Sequence, residues 1–436
     1  MRPSSSPSDG LFGPLSASPD IDREIGDRAW LRAMLDAEAA LAAAQAEIGL
    51  IPAEAAAAIA TACDANRYNI AELGERAVRA ANPVVPLVAD LTAAVPRGVA
   101  GYVHYGATSQ DILDTAAMLV TRRALGPLLA DLDAASDRCA CLAATHRDTP
   151  IAGRTLLQQA EITTFGLKCA GWLTALAAAR AAVAAVRDRQ LAVQLGGAAG
   201  TLASMDGAGP RVLERYAAAL GLAVPVLPWH TDRTRVAALA GALGMVAGVL
   251  AKTALDVVLL AQTEVGEVTG DESGGSSALP HKHNPVAAVR VRATAQRVPG
   301  LVATLLTGMA QEHERAAGGW QAEWATLTDL LRLTGGAAWH ARAMLDGLRV
   351  DAARMAAGLT DDLIAGQAAA RLAPVIGRVE AHSQVRAAVA DGTLRATLGR
   401  YLPPDEVAAA LDPATAVRAA GTLVDRALAA YHGDTP

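Results

Sequence analysis

The stretch that decides the fold is Gly274-Gly275-Ser276-Ser277-Ala278-Leu279-Pro280-His281-Lys282-His283-Asn284-Pro285. Glycine and proline disfavour the interiors of helices and strands, so this composition predicts a loop that can move. Long runs rich in alanine, leucine and valine flank the loop on both sides. It gathers hydroxyl, ammonium, imidazole and carboxamide side chains beside the start of a helix, where anions are favoured. From composition alone, a solvated surface loop is the alternative interpretation.

The order of residues in this loop resembles the signature of the fumarase/aspartase superfamily, G-S-S-x-M-P-x-K-x-N-P. Seven of the eight specified positions match, and Leu279 replaces the usual methionine. The resemblance implies a catalytic serine base on a loop that closes over the substrate, and a lysine and an asparagine that stabilise the anion formed there. The expected residues are Ser276, Lys282 and Asn284 for catalysis, with Ser277 and His281 as substrate contacts.

A second segment, Thr108-Ser109-Gln110-Asp111, precedes an apolar helical pattern. A hydroxyl residue before such a pattern is typical of a helix N-cap, so capping alone would explain it. The surrounding run, from His104 to Thr115, also resembles the first signature region of the superfamily. The resemblance implies that Thr108 and Ser109 bind a substrate carboxylate, and exposed N–H groups at a helix start suit that role.

A third segment, Gly153-Arg154-Thr155-Leu156-Leu157-Gln158-Gln159-Ala160, resembles the second signature region, G-R-T-H-x-Q-x-A. The resemblance implies that Arg154, Thr155 and Gln158 bind the substrate. One departure is important, because Leu156 occupies the position of the catalytic histidine. A second histidine, expected in the N-terminal region of related amino-acid lyases, is also replaced near Asn82.

The composition of the 436 residues favours helices and excludes several classes of function. Hydrophobic residues make up 52% of the chain, which is rich in alanine and has only two phenylalanines. Alanine has the highest helix propensity, so we expect an all-α protein. The net charge of −6, with acids and bases interspersed, argues against general nucleic-acid binding. Four cysteines without metal-ligand spacing indicate small core residues in a reducing compartment.

The sequence predicts no metal, no cofactor and no membrane partner. His281 and His283 are too few to define a metal site, and no nucleotide-binding glycine motif is present. The longest charge-free apolar run, Val236 to Ala251, is shorter than the roughly 20 residues that a membrane-spanning helix needs. No signal peptide is evident at the N-terminus. We therefore expect a cytoplasmic enzyme.

We expect three regions along the chain. Residues 1–108 form an N-terminal helical domain, of which 1–9 are expected to be disordered. Residues 109–355 form a central domain with the catalytic loop at 270–285, and 356–436 form a C-terminal helical domain. The central domain contains five long helical patterns, at Ala116–Arg147, Thr163–Gln190, Thr234–Thr269, Val286–Glu314 and Ala322–Leu345. Helices of this length predict a five-helix bundle. The resemblance implies that four subunits join their bundles into a 20-helix core and share composite active sites.

The missing histidine favours one kind of reaction. Members of the superfamily remove a proton next to a carboxylate and expel a group from the neighbouring carbon, or run the reverse reaction. Amines and hydroxide need a proton from a general acid when they leave, whereas a carboxylate leaves as an anion because its conjugate acid has a pKa of about 4. We therefore expect a small poly-carboxylate substrate. Most of the chain also resembles the bacterial 3-carboxy-cis,cis-muconate cycloisomerase family, and this resemblance implies that the reaction interconverts 3-carboxy-cis,cis-muconate and 4-carboxymuconolactone.

Three alternatives stay open. The chain could be a C–N lyase similar to adenylosuccinate lyase, a cycloisomerase for another substituted muconate, or a structural member of the superfamily without catalytic activity. The intact Ser276, Lys282 and Asn284 argue against the last alternative. His313 is equally consistent with a surface position and with a position in the site.

Overall fold

The computed structural model describes residues 11–270, 273–275, 279 and 281–433. It is 69% helix and 6% strand, which confirms the prediction of an all-α protein. Ser276 and Ser277 lie outside the described residues, as does the segment 1–9 that we expect to be disordered. The division into three regions, the five-helix bundle and the tetrameric core stay predictions.

The helices are α1 Pro19–Ile25, α2 Asp27–Glu47, α3 Ala53–Ala62, α4 Ile70–Ala80, α5 Val84–Ala94, α6 Ser109–Thr145, α7 Phe165–Arg189, α8 Gly209–Leu220, α9 Thr234–Leu260, α10 Val286–Ala295, α11 Val298–Thr307, α12 Gly319–Asp346, α13 Ala352–Ala357, α14 Ala365–Ile376, α15 Arg378–Ala390, α16 Leu394–Leu398, α17 Pro404–Ala410, α18 Pro413–Ala416 and α19 Arg418–His432. The strands are β1 Pro150–Thr155, β2 Gln158–Thr164, β3 Val268–Gly270, β4 Ser273–Gly275, β5 His283–Pro285 and β6 Leu348–Val350. They form three antiparallel pairs, β1 with β2, β3 with β6 and β4 with β5.

Two of the long helical predictions are wrong in their extent. The pattern from Val286 to Glu314 is divided into α10 and α11, which are followed by a loop. Pro299 causes this break, because it lacks an N–H group and its ring would clash with the carbonyl group four residues earlier. The pattern beginning at Thr234 ends at Leu260 and not at Thr269, and the chain then turns through residues 261–266, where Gly266 has a φ of 62°. Glycine adopts this left-handed conformation readily.

The expectation that residues 270–285 contain no strand is also wrong. Strands β4 and β5 pair Gly274 with Asn284 and Gly275 with His283, so a short antiparallel ladder forms the base of the loop. Proline is tolerated at the end of so short a strand, because only one ladder hydrogen bond is lost. The seven residues between the strands, 276–282, carry most of the predicted catalytic side chains.

The chain divides into two compact units. The first consists of Met1–Leu132, Ala179–Ala251 and Arg290–His340, and the second of Asp133–Ala178, Lys252–Val289 and Ala341–Pro436. In the first unit, α12 approaches the N-terminal segment so closely that a Cβ atom on Gly336 would lie 2.0 Å from the Ser16 carbonyl oxygen. In the second unit, a cluster of buried aliphatic side chains joins α14 to α17, including Leu372, Val385, Leu398 and Val407.

Two helices, α7 and α9, are long and apolar enough to cross a membrane by length and composition alone. Only 50% of the apolar window in α7 and 44% of that in α9 is buried within the chain. The core helices of soluble proteins pass the same test, so this observation is weak evidence for a membrane span. About half of the apolar surface of α7 and α9 is therefore not covered by the rest of the chain.

Candidate active site

The start of α6 holds the first two predicted substrate-binding residues. Thr108 is the residue before the helix and Ser109 is its first residue, and both are half-buried. The Asp111 carboxylate accepts a hydrogen bond from the Thr108 backbone N–H at 3.0 Å. An acidic residue three positions into a helix that reaches back to the capping residue in this way resembles a capping box. The capping and anion-binding interpretations of this segment are therefore compatible.

Asp111 is fully buried and receives hydrogen bonds from three directions. Besides Thr108, it accepts from the backbone N–H groups of Gly196 and Gly197, both at 2.9 Å. The Nε2 atom of His230 lies 2.7 Å from Asp111 Oδ1, the oxygen that also accepts from the Gly196 N–H. A buried carboxylate is stable only when such donors replace its lost water. Asp111 thereby fixes the start of α6 against the 196–197 turn and against His230.

One helical turn further along α6, Asp114 belongs to a second buried network. Arg233 donates to both oxygens of Asp114, at 2.9 and 3.1 Å, and to both oxygens of Glu323, at 2.9 and 2.6 Å. Burial alone would lower the pKa of Arg233, but the two carboxylates raise it, so the guanidinium stays charged. Trp320 adds an indole hydrogen bond to Asp114 at 2.9 Å. This network joins α6 to α12.

His104, four residues before Thr108, forms a further ion pair in the same unit. Its Nδ1 atom lies 2.6 Å from the Glu38 carboxylate, which is only 1% exposed. Burial alone would lower the pKa of His104, but the charge of Glu38 and the hydrogen bond to it raise that pKa above its ordinary value. The turn that leads into α6 is therefore anchored on α2.

In the second unit, β1 and β2 carry three more of the predicted residues. Arg154 is on β1, while Thr155 and Gln158 pair across the end of the hairpin and are exposed. The register shifts between Ala152 and Arg154, so Ala160 and Glu161 on β2 lie opposite Gly153 alone, and this bulge in β2 bends the hairpin. A Cβ atom on Gly153 would lie 2.8 Å from the Glu161 carbonyl oxygen, so only glycine fits there.

Arg154 is already paired with an acid. Its guanidinium donates to both oxygens of Glu267, at 2.9 and 2.8 Å, and the Glu267 side chain is only 2% exposed whereas that of Arg154 is 25% exposed. A bidentate pair of this kind is among the stronger hydrogen-bonded arrangements. Arg154 therefore compensates a buried charge first, and a substrate carboxylate would meet a partly neutralised cation.

The base of the signature loop lies beside an open cleft of about 490 Å³. His281, His283 and Asn284 line this cleft, together with Gly266 and Val268, the neighbours of Glu267 in the chain. Lys282 is exposed and Asn284 is half-buried. The cleft thus gathers imidazole and carboxamide groups, which suit an anionic ligand.

Leu156, at the position of the expected histidine, lies at the tip of the β1–β2 hairpin. Leu156 and Leu157 have φ values of 51° and 65°, which is the two-residue turn that normally selects asparagine and glycine. Their side chains are 96% and 74% exposed. The hairpin therefore presents an apolar pair at its end, without a group that can donate or accept a proton.

The sequence analysis did not predict that Asp111, His230 and Arg233 lie at the start of α6, or that Glu267 lies beside β1. Asp111 could have been found, because it follows the quoted Thr108-Ser109 pair and occupies the third helical position, where carboxylates cap. Each of the other side chains reaches its segment only through tertiary contacts within its own unit. Among the described residues, no group of three or more His, Cys, Asp and Glu side chains is placed to hold a metal ion.

We predict that Asp111→Asn lowers the free energy of unfolding by about 3 kcal/mol, because an amide can accept at one oxygen only and leaves buried donors unsatisfied. Denaturant unfolding measures this loss. The control is Asp20→Asn on α1, whose ion pair with Arg23 is largely exposed and which should change stability by no more than about 0.5 kcal/mol. Equal stability of the two variants would contradict the role of Asp111.

Known proteins resemble this chain over almost its whole length. A family model described as Lyase matches residues 5–300. Nitrosuccinate lyase from Streptomyces davaonensis is 44% identical, over 96% of this chain and 94% of its own length. The 3-carboxy-cis,cis-muconate cycloisomerase from Pseudomonas aeruginosa is 45% identical, over 98% of this chain and 97% of its own. The crystal structure of 3-carboxy-cis,cis-muconate lactonizing enzyme from Pseudomonas putida superposes with a TM-score of 0.91 at 40% identity, covering 98% of this chain and 100% of that one.

The family match covers more than half of the chain, and these relatives exceed the identity at which membership is secure. The three signature segments, around Thr108, Arg154 and Lys282, are all present. The chain therefore belongs to the lyase family of the fumarase/aspartase superfamily.

Proposed function

We propose that the protein is an enzyme that interconverts 3-carboxy-cis,cis-muconate and 4-carboxymuconolactone. The structural observation that favours a reaction of this class is Leu156, an apolar side chain at the hairpin tip where the superfamily signature has a histidine. A reaction that expels a carboxylate does not need the acid that this histidine would supply. The similarity to cycloisomerases over nearly the full chain supports the same reaction.

The proposed chemistry takes up one proton and no other reactant. One oxygen of the carboxylate at one end of the diene forms a bond to its γ-carbon, which is the nearer carbon of the other double bond, and closes a five-membered lactone ring. The electron pair of the double bond moves towards the adjacent carboxylate, and the resulting carbanion receives a proton at the carbon next to that carboxylate. In the reverse direction the proton is removed and the ring carboxylate leaves as an anion. We assign the proton transfer to Ser276, which lies outside the described residues.

The substrate carries three carboxylates, so donors and cations must meet several negative charges. We assign one carboxylate to the start of α6, where Thr108 and Ser109 stand beside backbone N–H groups. We assign Lys282 and Asn284 to the carboxylate that holds the developing charge. Ser277, His281, Thr155 and Gln158 are the remaining proposed substrate contacts. Arg154 is the weakest of the proposed contacts, because Glu267 already engages both of its terminal nitrogens.

A second candidate reaction has its own support. The relative at 44% identity is a nitrosuccinate lyase, and elimination from nitrosuccinate expels nitrite. Nitrite, like a carboxylate, leaves as a weakly basic anion and needs no protonation. Leu156 is therefore as consistent with this C–N cleavage as with lactone opening, whereas it disfavours C–N lyases that expel an amine.

The purified protein should remove the ultraviolet absorbance of the conjugated diene when it is mixed with 3-carboxy-cis,cis-muconate, and the lactone should appear as the product. Nitrosuccinate and adenylosuccinate are assayed in parallel, by nitrite release and by absorbance. Turnover of nitrosuccinate alone would replace the first candidate with the second. Cleavage of adenylosuccinate would show that another residue supplies the acid and would overturn the argument from Leu156.

The assignment of Ser276 is tested on whichever substrate reacts. Ser276→Ala should lower kcat by a factor of about 10²–10⁴, because positioned proton transfer contributes that much. Ser277→Ala is the matched control, since it removes a neighbouring hydroxyl that we assign to binding, and it should raise KM more than it lowers kcat. Circular dichroism checks that both variants keep the helical fold. Wild-type kcat in Ser276→Ala would exclude this serine as the base.

The proposal includes a homotetramer with composite active sites, and the uncovered face of α9 supports self-association. The exposed residues of α9 follow one another at alternating sequence spacings of four and three residues. They are mostly small or apolar: Thr234, Ala238, Gly241, Met245, Gly248, Lys252 and Leu255. An apolar stripe at this spacing is typical of helices that pack side by side. A similar stripe of exposed residues runs along α7: Gly171, Thr174, Ala178, Ala181, Ala185 and Asp188. The cytoplasmic location, and the absence of nucleic-acid and membrane partners, stay predictions.

Gly241→Leu should weaken this assembly. A Cβ atom on Gly241 meets no atom of its own chain within 4 Å, so the single chain accommodates the larger side chain and only a covering partner would clash with it. Sedimentation velocity should give a tetramer for the wild-type protein and smaller species for the variant. Gly74→Leu on α4 is the control, because its Cβ position is equally open but lies away from the stripe. A variant that sediments as the wild type would exclude this face from the interface.

A further inference from the structure

The loop between α11 and α12 holds a strained histidine. His313 has a φ of 43°, in the left-handed region that most side chains avoid, and its side chain is exposed. Histidine visits this region more often than most residues, but a left-handed non-glycine residue still carries a conformational cost. Such strain persists only where the surrounding structure enforces it, and it is concentrated at functional sites.

Hydrogen bonds on both sides of His313 enforce this conformation. Gln311 donates from Nε2 to the Gly308 carbonyl oxygen at 3.1 Å and to the Glu323 carboxylate at 3.0 Å. The Glu312 carboxylate accepts from the Ala317 backbone N–H at 3.0 Å, which closes the loop on itself. The Arg315 backbone N–H donates to the Glu312 carbonyl oxygen at 3.0 Å, so His313 and Glu314 form the centre of a tight turn.

The same loop is fastened beside the start of α6. The Arg315 guanidinium donates from Nη1 to the Gln110 side-chain oxygen at 3.1 Å and from Nη2 to the Gly197 carbonyl oxygen at 2.7 Å. Gln110 follows Ser109 directly, and Gly197 is one of the residues whose N–H group holds Asp111. The turn that carries His313 is therefore tied to the two segments that shape the proposed carboxylate site.

The His313 imidazole has no structural partner in the described part of the chain. Apart from the charge of the neighbouring Glu312, no hydrogen bond or ion pair engages its ring there. A surface histidine without contacts does not explain why hydrogen bonds on both sides hold this turn in a conformation that places His313 in the left-handed region. An imidazole that meets a ligand does give such a reason, because a fixed donor loses little freedom on binding.

We propose that His313 is a further substrate-binding residue, whose imidazole N–H donates a hydrogen bond to a substrate carboxylate at the start of α6. The role rests on the proposed function, since it deepens the recognition of a poly-carboxylate at the Thr108–Ser109 segment. His313 provides a donor from a third segment of the chain. It binds the substrate and takes no part in proton transfer.

The test compares His313→Asn and His313→Gly with the wild-type protein. Asparagine and glycine both adopt the left-handed conformation readily, so both variants keep the turn and remove only the imidazole. KM for 3-carboxy-cis,cis-muconate should rise roughly tenfold to a hundredfold in His313→Gly, as expected for the loss of a hydrogen bond to a charged group, and by less in His313→Asn, whose carboxamide N–H can still donate, while kcat changes by less than about threefold in both. His382→Asn, a change at an exposed histidine on α15, should leave KM unchanged.

The outcomes separate the role of His313 from the proposed reaction. Wild-type KM in both variants would overturn the role of His313 and leave the reaction intact. A wild-type protein without turnover would overturn the reaction. The role of His313 is then decided by calorimetric titration with tricarballylate, a saturated tricarboxylate, which His313→Gly should bind at least about tenfold more weakly than the wild type. Equal affinity, or no binding to the wild type, would overturn it.

Discussion

The buried carboxylate of Asp111 is the constraint on which the first unit depends. Three backbone N–H groups and one imidazole converge on a side chain that has no contact with water. Because an unpaired carboxylate could not remain buried, the start of α6, the 196–197 turn and His230 must be in place together. The positions of Thr108 and Ser109, which we assign to substrate binding, therefore depend on the buried charge of Asp111.

A different acid has a comparable effect in the second unit. Glu267 is nearly inaccessible and would be unstable there without Arg154, so the pair fixes β1 against the turn before β3. Because Glu267 neutralises much of the positive charge of Arg154, that arginine contributes less to the recognition of an anionic substrate. In the proposed site, we therefore expect a substrate with several carboxylates to be bound by Lys282, by neutral donors and by helix N–H groups more than by this arginine. Neutral donors fixed in advance stabilise developing charge without reorganisation, which suits them to the site.

Much of the helical architecture could be predicted from the sequence, because alanine-rich runs carry a strong local signal. The extents of α7 and α12 differ from the predicted patterns by three residues or fewer at each end. The break at Pro299 was missed because the apolar pattern continues through it. The signature segments predict Thr108, Arg154 and Lys282 as site residues, since each lies in a run of matching residues, and their roles stay predictions. The pairing of Arg154 with Glu267 could not be predicted, because the two residues are far apart in sequence and only the fold brings them together.

The exposed tip of the β1–β2 hairpin affects how a newly synthesised chain behaves before it assembles. Leu156 and Leu157 stand almost free of their own chain, in a backbone conformation that costs each of them about 1 kcal/mol. In a newly made chain, these two exposed leucines can therefore contact the apolar surfaces of other molecules. In the proposed tetramer, the time that a subunit spends alone after synthesis would be a hazard, because burial of this tip against a partner would compete with adventitious contacts. The yield of usable protein would then depend on how fast that tip is covered as well as on how stable the helices are.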